Sequence, residues 1–164
     1  MRTDHPIVTN SEAETEALAA YLALALRPGD VVGLYGELGA GKTAFVRGVV
    51  RGLGADPRQV RSPTFTVLNI YAASRPVYHF DLYRLPAGAD LEAIGFYEFS
   101  RGEGVSLIEW ADRVTNHEEV VDLRVRIEFG ALPDQRSVWI EGPQSARFLE
   151  MLERSESWRC PVGS

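Results

Sequence analysis

The sequence points to a three-layer α/β sandwich on a mainly parallel central sheet, with one antiparallel hairpin attached. Three observations lead there. Val31-Val32-Gly33-Leu34-Tyr35 and Val105-Ser106-Leu107-Ile108 are short, nearly all-apolar runs, the pattern of strands covered on both faces in a parallel sheet. The glycine-rich stretch GELGAGKT, residues 36–43, follows the first run without a break and leads into a helical pattern. Late in the chain, Leu123–Phe129 alternates apolar and polar residues and connects through Ala131-Leu132-Pro133-Asp134 to residues 137–141, a hairpin signature.

The other elements follow in order. Ser11-Glu12-Ala13-Glu14 reads as a capping box, and Leu18, Tyr21, Leu22, Ala25 and Leu26 recur on one helical face behind it. Pro28-Gly29-Asp30 ends that helix. Residues 43–53 read as a second helix with Gly54 at its C′ position. Ser62-Pro63-Thr64 reads as a loop, because the proline pushes residue 62 away from helical dihedrals. Residues 65–71 and 76–81 read as two strands joined by the polar connection 72–75. A short helix is expected over 90–95, a turn near 97–101 and a final helix over 145–153. Residues 1–154 are expected to form a single domain, with 155–164 a flexible C-terminal tail.

Bulk properties narrow the function. The chain has 164 residues, 45% of them apolar, enough to bury a core without staples. Its 17 Lys plus Arg against 23 Asp plus Glu give a net charge of −6, which argues against a broad polyanion-binding face. A lone cysteine, Cys160, permits neither an internal disulfide nor a cysteine metal cluster. Neither a signal peptide nor a membrane-spanning run is visible. A cytoplasmic location is the expectation.

The chemistry starts at GELGAGKT. Glycine, four residues, then Gly-Lys-Thr is the phosphate-binding loop pattern. The glycines let backbone amides turn inward around phosphate oxygens, and the following helix adds its positive N-terminal end. Lys42 is expected on the β and γ phosphates and Thr43 on Mg²⁺, with the backbone of Glu37, Leu38, Gly39, Ala40, Gly41 and Ala44 completing the cradle. Such a site needs a carboxylate near the metal, at the end of a neighbouring strand. Asp81 and Glu109 both end strands, and either could hold Mg²⁺ while the other orients water. His79 reads as a hydrogen-bonded core residue. Trp110 could stack on a base or partner, or pack beside the sheet.

The ordered set GELGAGKT, SPTFT at 62–66, YHFDLYRL at 78–85 and LIEWADR at 107–113 closely resembles the TsaE family of tRNA threonylcarbamoyladenosine (t6A) biosynthesis. That resemblance implies a P-loop NTPase-like fold that binds ATP and Mg²⁺ and hydrolyses ATP slowly alone. It implies activation by TsaB and TsaD, which with TsaC make t6A at tRNA position 37, and contact with tRNA only through those partners. Hydrolysis in the family is thought to reset the TsaD–TsaB complex between turnovers. Residue by residue, it implies that Lys42 is the P-loop lysine, Thr43 and Glu109 the Mg²⁺ ligands and Asp81 an acid needed for activity. Thr64 matches the threonine of a switch-like loop, and Trp110 the aromatic after the acid. Phe65 stands where many members carry Tyr.

Other classes fit less well. A small-molecule or nucleoside kinase shares the loop but needs an acceptor site and an Arg-rich lid, and Arg124, Arg126 and Arg136 sit instead on the expected late hairpin. A GTPase commonly selects guanine with Asn-Lys-x-Asp, yet Ile and His follow Asn69 and Asn116. A nucleotide-sensing scaffold would bind ATP without hydrolysing it.

Overall fold

The computed structural model describes residues 5–61, 67–86, 88, 90–100 and 102–159. The loop expected at Ser62-Pro63-Thr64, with the contact expected of Thr64, and the end of the chain from Cys160 onward lie outside them.

Seven strands form one sheet in the order β1-β7-β6-β2-β5-β4-β3. They are β1 (Ile7–Thr9), β2 (Val31–Tyr35), β3 (Leu68–Tyr71), β4 (Val77–Asp81), β5 (Val105–Glu109), β6 (Leu123–Phe129) and β7 (Arg136–Glu141). The four central strands, β6, β2, β5 and β4, pair in parallel. The outer pairs β1–β7, β6–β7 and β3–β4 are antiparallel. β2 and β5 are buried at every position, as nearly all-apolar runs in a central parallel sheet predict.

Period-2 alternation splits the core between the two faces of the sheet. Val32 and Leu34 face a cluster with Leu18, Leu22, Phe45 and Phe148, drawn from α1 (Glu12–Ala23), α2 (Lys42–Gly52) and α5 (Ser145–Arg154). Val31 and Tyr35 face the other way, towards Phe80, Leu82, Leu91 and Phe96. α1 and α2 approach closely because Gly48 and Gly52 carry no side chain. A Cβ on Gly48 would lie 2.3 Å from the Glu16 carbonyl oxygen, and one on Gly52 2.5 Å from that of Ala20.

Local signals fix the element ends. The Ser11 hydroxyl accepts from the Glu14 amide at 3.0 Å, the N-cap half of the expected box. The Glu14 carboxylate instead takes Arg159 at 2.8 Å. Gly54, at φ 84, follows α2, as expected of a C′ glycine.

Residues 90–95 depart from the expected helix. They form successive turns, and α3 begins at Phe96 (Phe96–Phe99). The Asp90 carboxylate accepts from the Glu92 amide at 3.0 Å, a local turn that competes with helix. Gly95 stands in the left-handed region at φ 78. Helix resumes where Phe96 can bury its ring 5.4 Å from that of Phe80. β1 and α4 (His117–Val120) carried too few residues to be foreseen.

Beyond α5, residues 155–159 pack rather than stand free. Ser157–Arg159 form a 3₁₀ turn with Trp158 buried in the α1 cluster. Arg159 donates to the Val8 carbonyl at 2.8 Å and to Glu14. A large apolar ring with a cationic neighbour can be held by tertiary contacts alone, without any secondary-structure signal.

Candidate functional site: a phosphate-binding loop facing two strand-end carboxylates

The register of the parallel strands assembles the site. Leu34 pairs with Glu109, and Asp81 pairs with Glu109 from the other side. The loop after β2, the end of β4 and the end of β5 therefore meet at the carboxyl edge of the sheet, where α/β proteins bind ligands. They border a cleft of about 670 Å³ lined by the 39–44 loop, Asp81, Glu109 and Trp110, within the usual size of small-molecule sites.

The loop conformation depends on glycine at two places. Gly36 has φ 147, and a Cβ there would sit 2.3 Å from the Ile127 carbonyl oxygen. Gly41, at φ 114, is the N-cap of α2 and offers no capping side chain, so the first amides of the helix have no side-chain acceptor at that position. Arg136 braces the loop from the late hairpin, with Nε 3.0 Å from the Ala40 carbonyl. Glu37 and Leu38 are exposed at the loop's tip, whereas Ala40 and Ala44 are buried beneath it.

Lys42 is buried. Its Nζ donates to the Gly36 carbonyl at 2.5 Å and the Glu37 carbonyl at 2.9 Å. The same nitrogen lies 4.1 Å from the centre of the Trp110 ring, a cation–π contact. Burial pulls the ammonium below the ordinary lysine range, while the nearby Glu109 and Asp81 carboxylates act against that shift.

Thr43 and Glu109 face each other across the mouth of the loop. The Thr43 hydroxyl is 3.2 Å from Oε1 and 3.4 Å from Oε2 of Glu109. A hydroxyl and a carboxylate are hard oxygen donors, the set that suits Mg²⁺ when phosphates and water supply the rest. The residues present fit that ion. Asp81 borders the same cleft, and its Oδ1 accepts from the Tyr83 amide at 3.0 Å.

Trp110 has φ 60 and ψ 40, a conformation that a bulky residue rarely adopts and that concentrates at functional sites. It turns the indole back over Lys42 and towards Tyr83, whose ring centre is 5.1 Å away. Of the hairpin arginines, Arg136 lines the cleft, while Arg124 and Arg126 border a separate hollow with Tyr35 and His117.

His79, which reads as a core residue, and Tyr71, which ends an expected strand, reach this site. His79 Nε2 is 2.5 Å from Glu109 Oε2, and its Nδ1 is 2.9 Å from the Tyr71 hydroxyl. One signal could have found His79. It stands two residues before Asp81 on β4, and period 2 puts both on one face.

A buried parallel strand, a glycine loop, a helix opening on Lys-Thr and carboxylates at adjacent strand ends define a P-loop NTPase-like protein. The sequence model described as "Threonylcarbamoyl adenosine biosynthesis protein TsaE" matches residues 9–138. This chain belongs to the TsaE family. It is 44% identical over 104 residues to the tRNA threonylcarbamoyladenosine biosynthesis protein TsaE of Rickettsia conorii, covering 63% of this chain and 59% of that protein. It is 45% identical over 104 residues to the Bacillus subtilis TsaE protein, covering 63% of this chain and 64% of that one. The chain thus matches less than two thirds of the length of these relatives. The Treponema pallidum TsaE protein is 39% identical over 127 residues, covering 77% of this chain and 92% of that one. The crystal structure of Bacillus subtilis YdiB superposes with a TM-score of 0.70 at 32% identity, covering 94% of this chain and 97% of that one. Among the described residues, no helix is long and apolar enough to cross a membrane.

Proposed function

We propose that this chain is a Mg²⁺-dependent ATPase subunit of the tRNA t6A37 modification machinery, active when bound to TsaD and TsaB homologues and serving multiple turnover. The observation that carries this reading is the Thr43–Glu109 pair at the mouth of the phosphate loop, 3.2 Å apart, with Asp81 in register beside Glu109. Family membership supplies the process. Contact with tRNA runs through the partners, the location is the cytoplasm, and residues 1–154 act as one P-loop domain onto which Trp158 and Arg159 pack.

In this reading the backbone of residues 37–44 wraps the phosphates. Lys42 leaves the Gly36 and Glu37 carbonyls for the β and γ phosphate oxygens. Thr43 and Glu109 would hold Mg²⁺, which would supply charge compensation for the phosphates. Asp81, on the neighbouring strand, orients the attacking water, and Thr64 senses the γ phosphate. The protein complex takes the place of a second small substrate.

The deciding measurement is ATP hydrolysis by this chain alone and with TsaB and TsaD from the same source. Strong stimulation by the pair is expected. Absence of stimulation, together with phosphate transfer to a metabolite, would overturn the reading in favour of a kinase.

A further inference from the structure

Glu109 is 3% exposed and His79 fully buried, so each polar atom needs a partner inside the protein. Three adjacent strands supply them in a line. Tyr71 on β3 meets His79 on β4 through its hydroxyl at 2.9 Å, and His79 meets Glu109 on β5 at 2.5 Å. Beyond Tyr71 the line ends on the backbone of Arg61, whose amide donates to the hydroxyl at 3.4 Å and leaves the phenol proton for His79. At the other end, the Thr43 hydroxyl reaches the same carboxylate.

Geometry assigns each part. A carboxylate oxygen accepts only, so Nε2 of His79 carries the proton of the short bond to Oε2. That leaves Nδ1 facing the Tyr71 hydroxyl, which fixes the plane of the ring. A glutamate has three freely rotating side-chain bonds, and burial alone leaves several rotamers open. Here one oxygen is tied to an imidazole that is itself held from behind, and Oε1 is turned towards Thr43. Carboxylates that bind metals are oriented in this way by hydrogen-bonded neighbours.

We infer that His79 is a positioning residue for Glu109, with Tyr71 fixing His79, so that the Tyr71–His79–Glu109 line sets the direction in which the acid meets Thr43 and a divalent cation. This rests on the reading of Glu109 as a cation-binding acid.

The test measures Mn²⁺ binding by electron paramagnetic resonance in the presence of a non-hydrolysable ATP analogue. Affinity for the analogue in EDTA is measured in parallel. His79→Ala is expected to weaken Mn²⁺ by about 10- to 100-fold, the scale on which such orienting neighbours act, with analogue affinity in EDTA unchanged. His79→Gln, which keeps an N–H near the position of Nε2, is expected to recover part of the loss. Tyr71→Phe removes one hydroxyl and is expected to give a smaller loss in the same direction. Wild-type Mn²⁺ affinity in His79→Ala overturns the proposal, and so does an equal loss of analogue affinity in EDTA. If His79→Ala does not fold, Tyr71→Phe decides, and unchanged Mn²⁺ affinity there overturns it. The reading of Glu109 fails separately if the analogue-bound wild type takes up Mn²⁺ no better than Glu109→Gln.

Discussion

The Thr43 hydroxyl, on the second residue of α2, lies within 3.4 Å of both carboxylate oxygens of Glu109 at the end of β5. The two are 66 residues apart in the chain, and parallel pairing of β2 with β5 is what brings them together. An ion seated between them would be held from the helix and from the sheet at once. Glu109→Ala is therefore expected to retain ATP binding in EDTA. Its partner-stimulated hydrolysis in Mg²⁺ should fall by about 100-fold or more, the scale of removing one preorganised electrostatic contact. Calorimetry in EDTA and a phosphate-release assay check both halves. Normal hydrolysis in Glu109→Ala, with metal binding lost in Asp81→Ala, would exchange the roles of the two acids.

Lys42 ties function against stability. Burial lowers its pKa from 10.5, so between the lowered value and 10.5 the unfolded chain binds more protons than the folded one. Stability contributed by this site rises with pH across that window, and below it the cost of burying the ammonium is fully present. Lys42→Met is expected to abolish nucleotide binding while raising the melting temperature of the ligand-free protein at neutral pH. A rise of about 2–4 °C corresponds to about 1 kcal/mol in a chain of this length. The advantage should shrink as pH approaches 10.5, which thermal melts at stepped pH measure.

Gly48 tests the packing beneath the site. Alanine is the better helix former by about 1 kcal/mol. A Cβ at this position, however, would meet the Glu16 carbonyl at 2.3 Å and the Ala19 Cβ at 2.6 Å, contacts that only a shift of α1 can relieve. Gly48→Ala is expected to lose about 1–3 kcal/mol, the usual cost of overpacking, in urea unfolding. A gain would show that α1 moves freely.

Trp158 anchors the segment after α5. It is 6% exposed, and its indole nitrogen has no hydrogen-bond partner among the described residues. Trp158→Ala is expected to cost about 3–5 kcal/mol, as for other buried aromatics. Trp158→Phe should cost far less, since it keeps most of the ring and removes a buried donor that finds no acceptor among the described residues. Chemical denaturation of the two variants measures the difference, and equal stabilities would mean that the ring adds nothing.

Trp110 reports on the loop. Its ring lies 4.1 Å from Lys42 Nζ, and a nucleotide that draws the ammonium away changes the indole's surroundings. ATP is expected to shift the emission of wild-type protein but not that of Trp110→Phe or Lys42→Met. The other two tryptophans, Trp139 and Trp158, supply a constant background.

Much of the molecule was legible in local patterns, because those patterns arise from local physics. The nearly all-apolar runs of β2 and β5, the glycines of the loop, the Ser11 cap and the alternation in β6 each constrain their own few residues. Local chemistry was enough to specify the loop, the helix that follows it and two carboxylates at strand ends. Tertiary structure decided what no local pattern encodes. Strand order puts β2 beside β5, and register then sets Asp81 and Glu109 side by side. His79 is the hydrogen-bonded core residue expected, and packing across β3, β4 and β5 decides that its partner is Glu109. The buried Trp158 follows the same rule, since contacts distant in the chain outweigh weak local preference. Pairing between strands depends on which apolar faces cover one another, and that is a property of the assembled sheet rather than of any one segment.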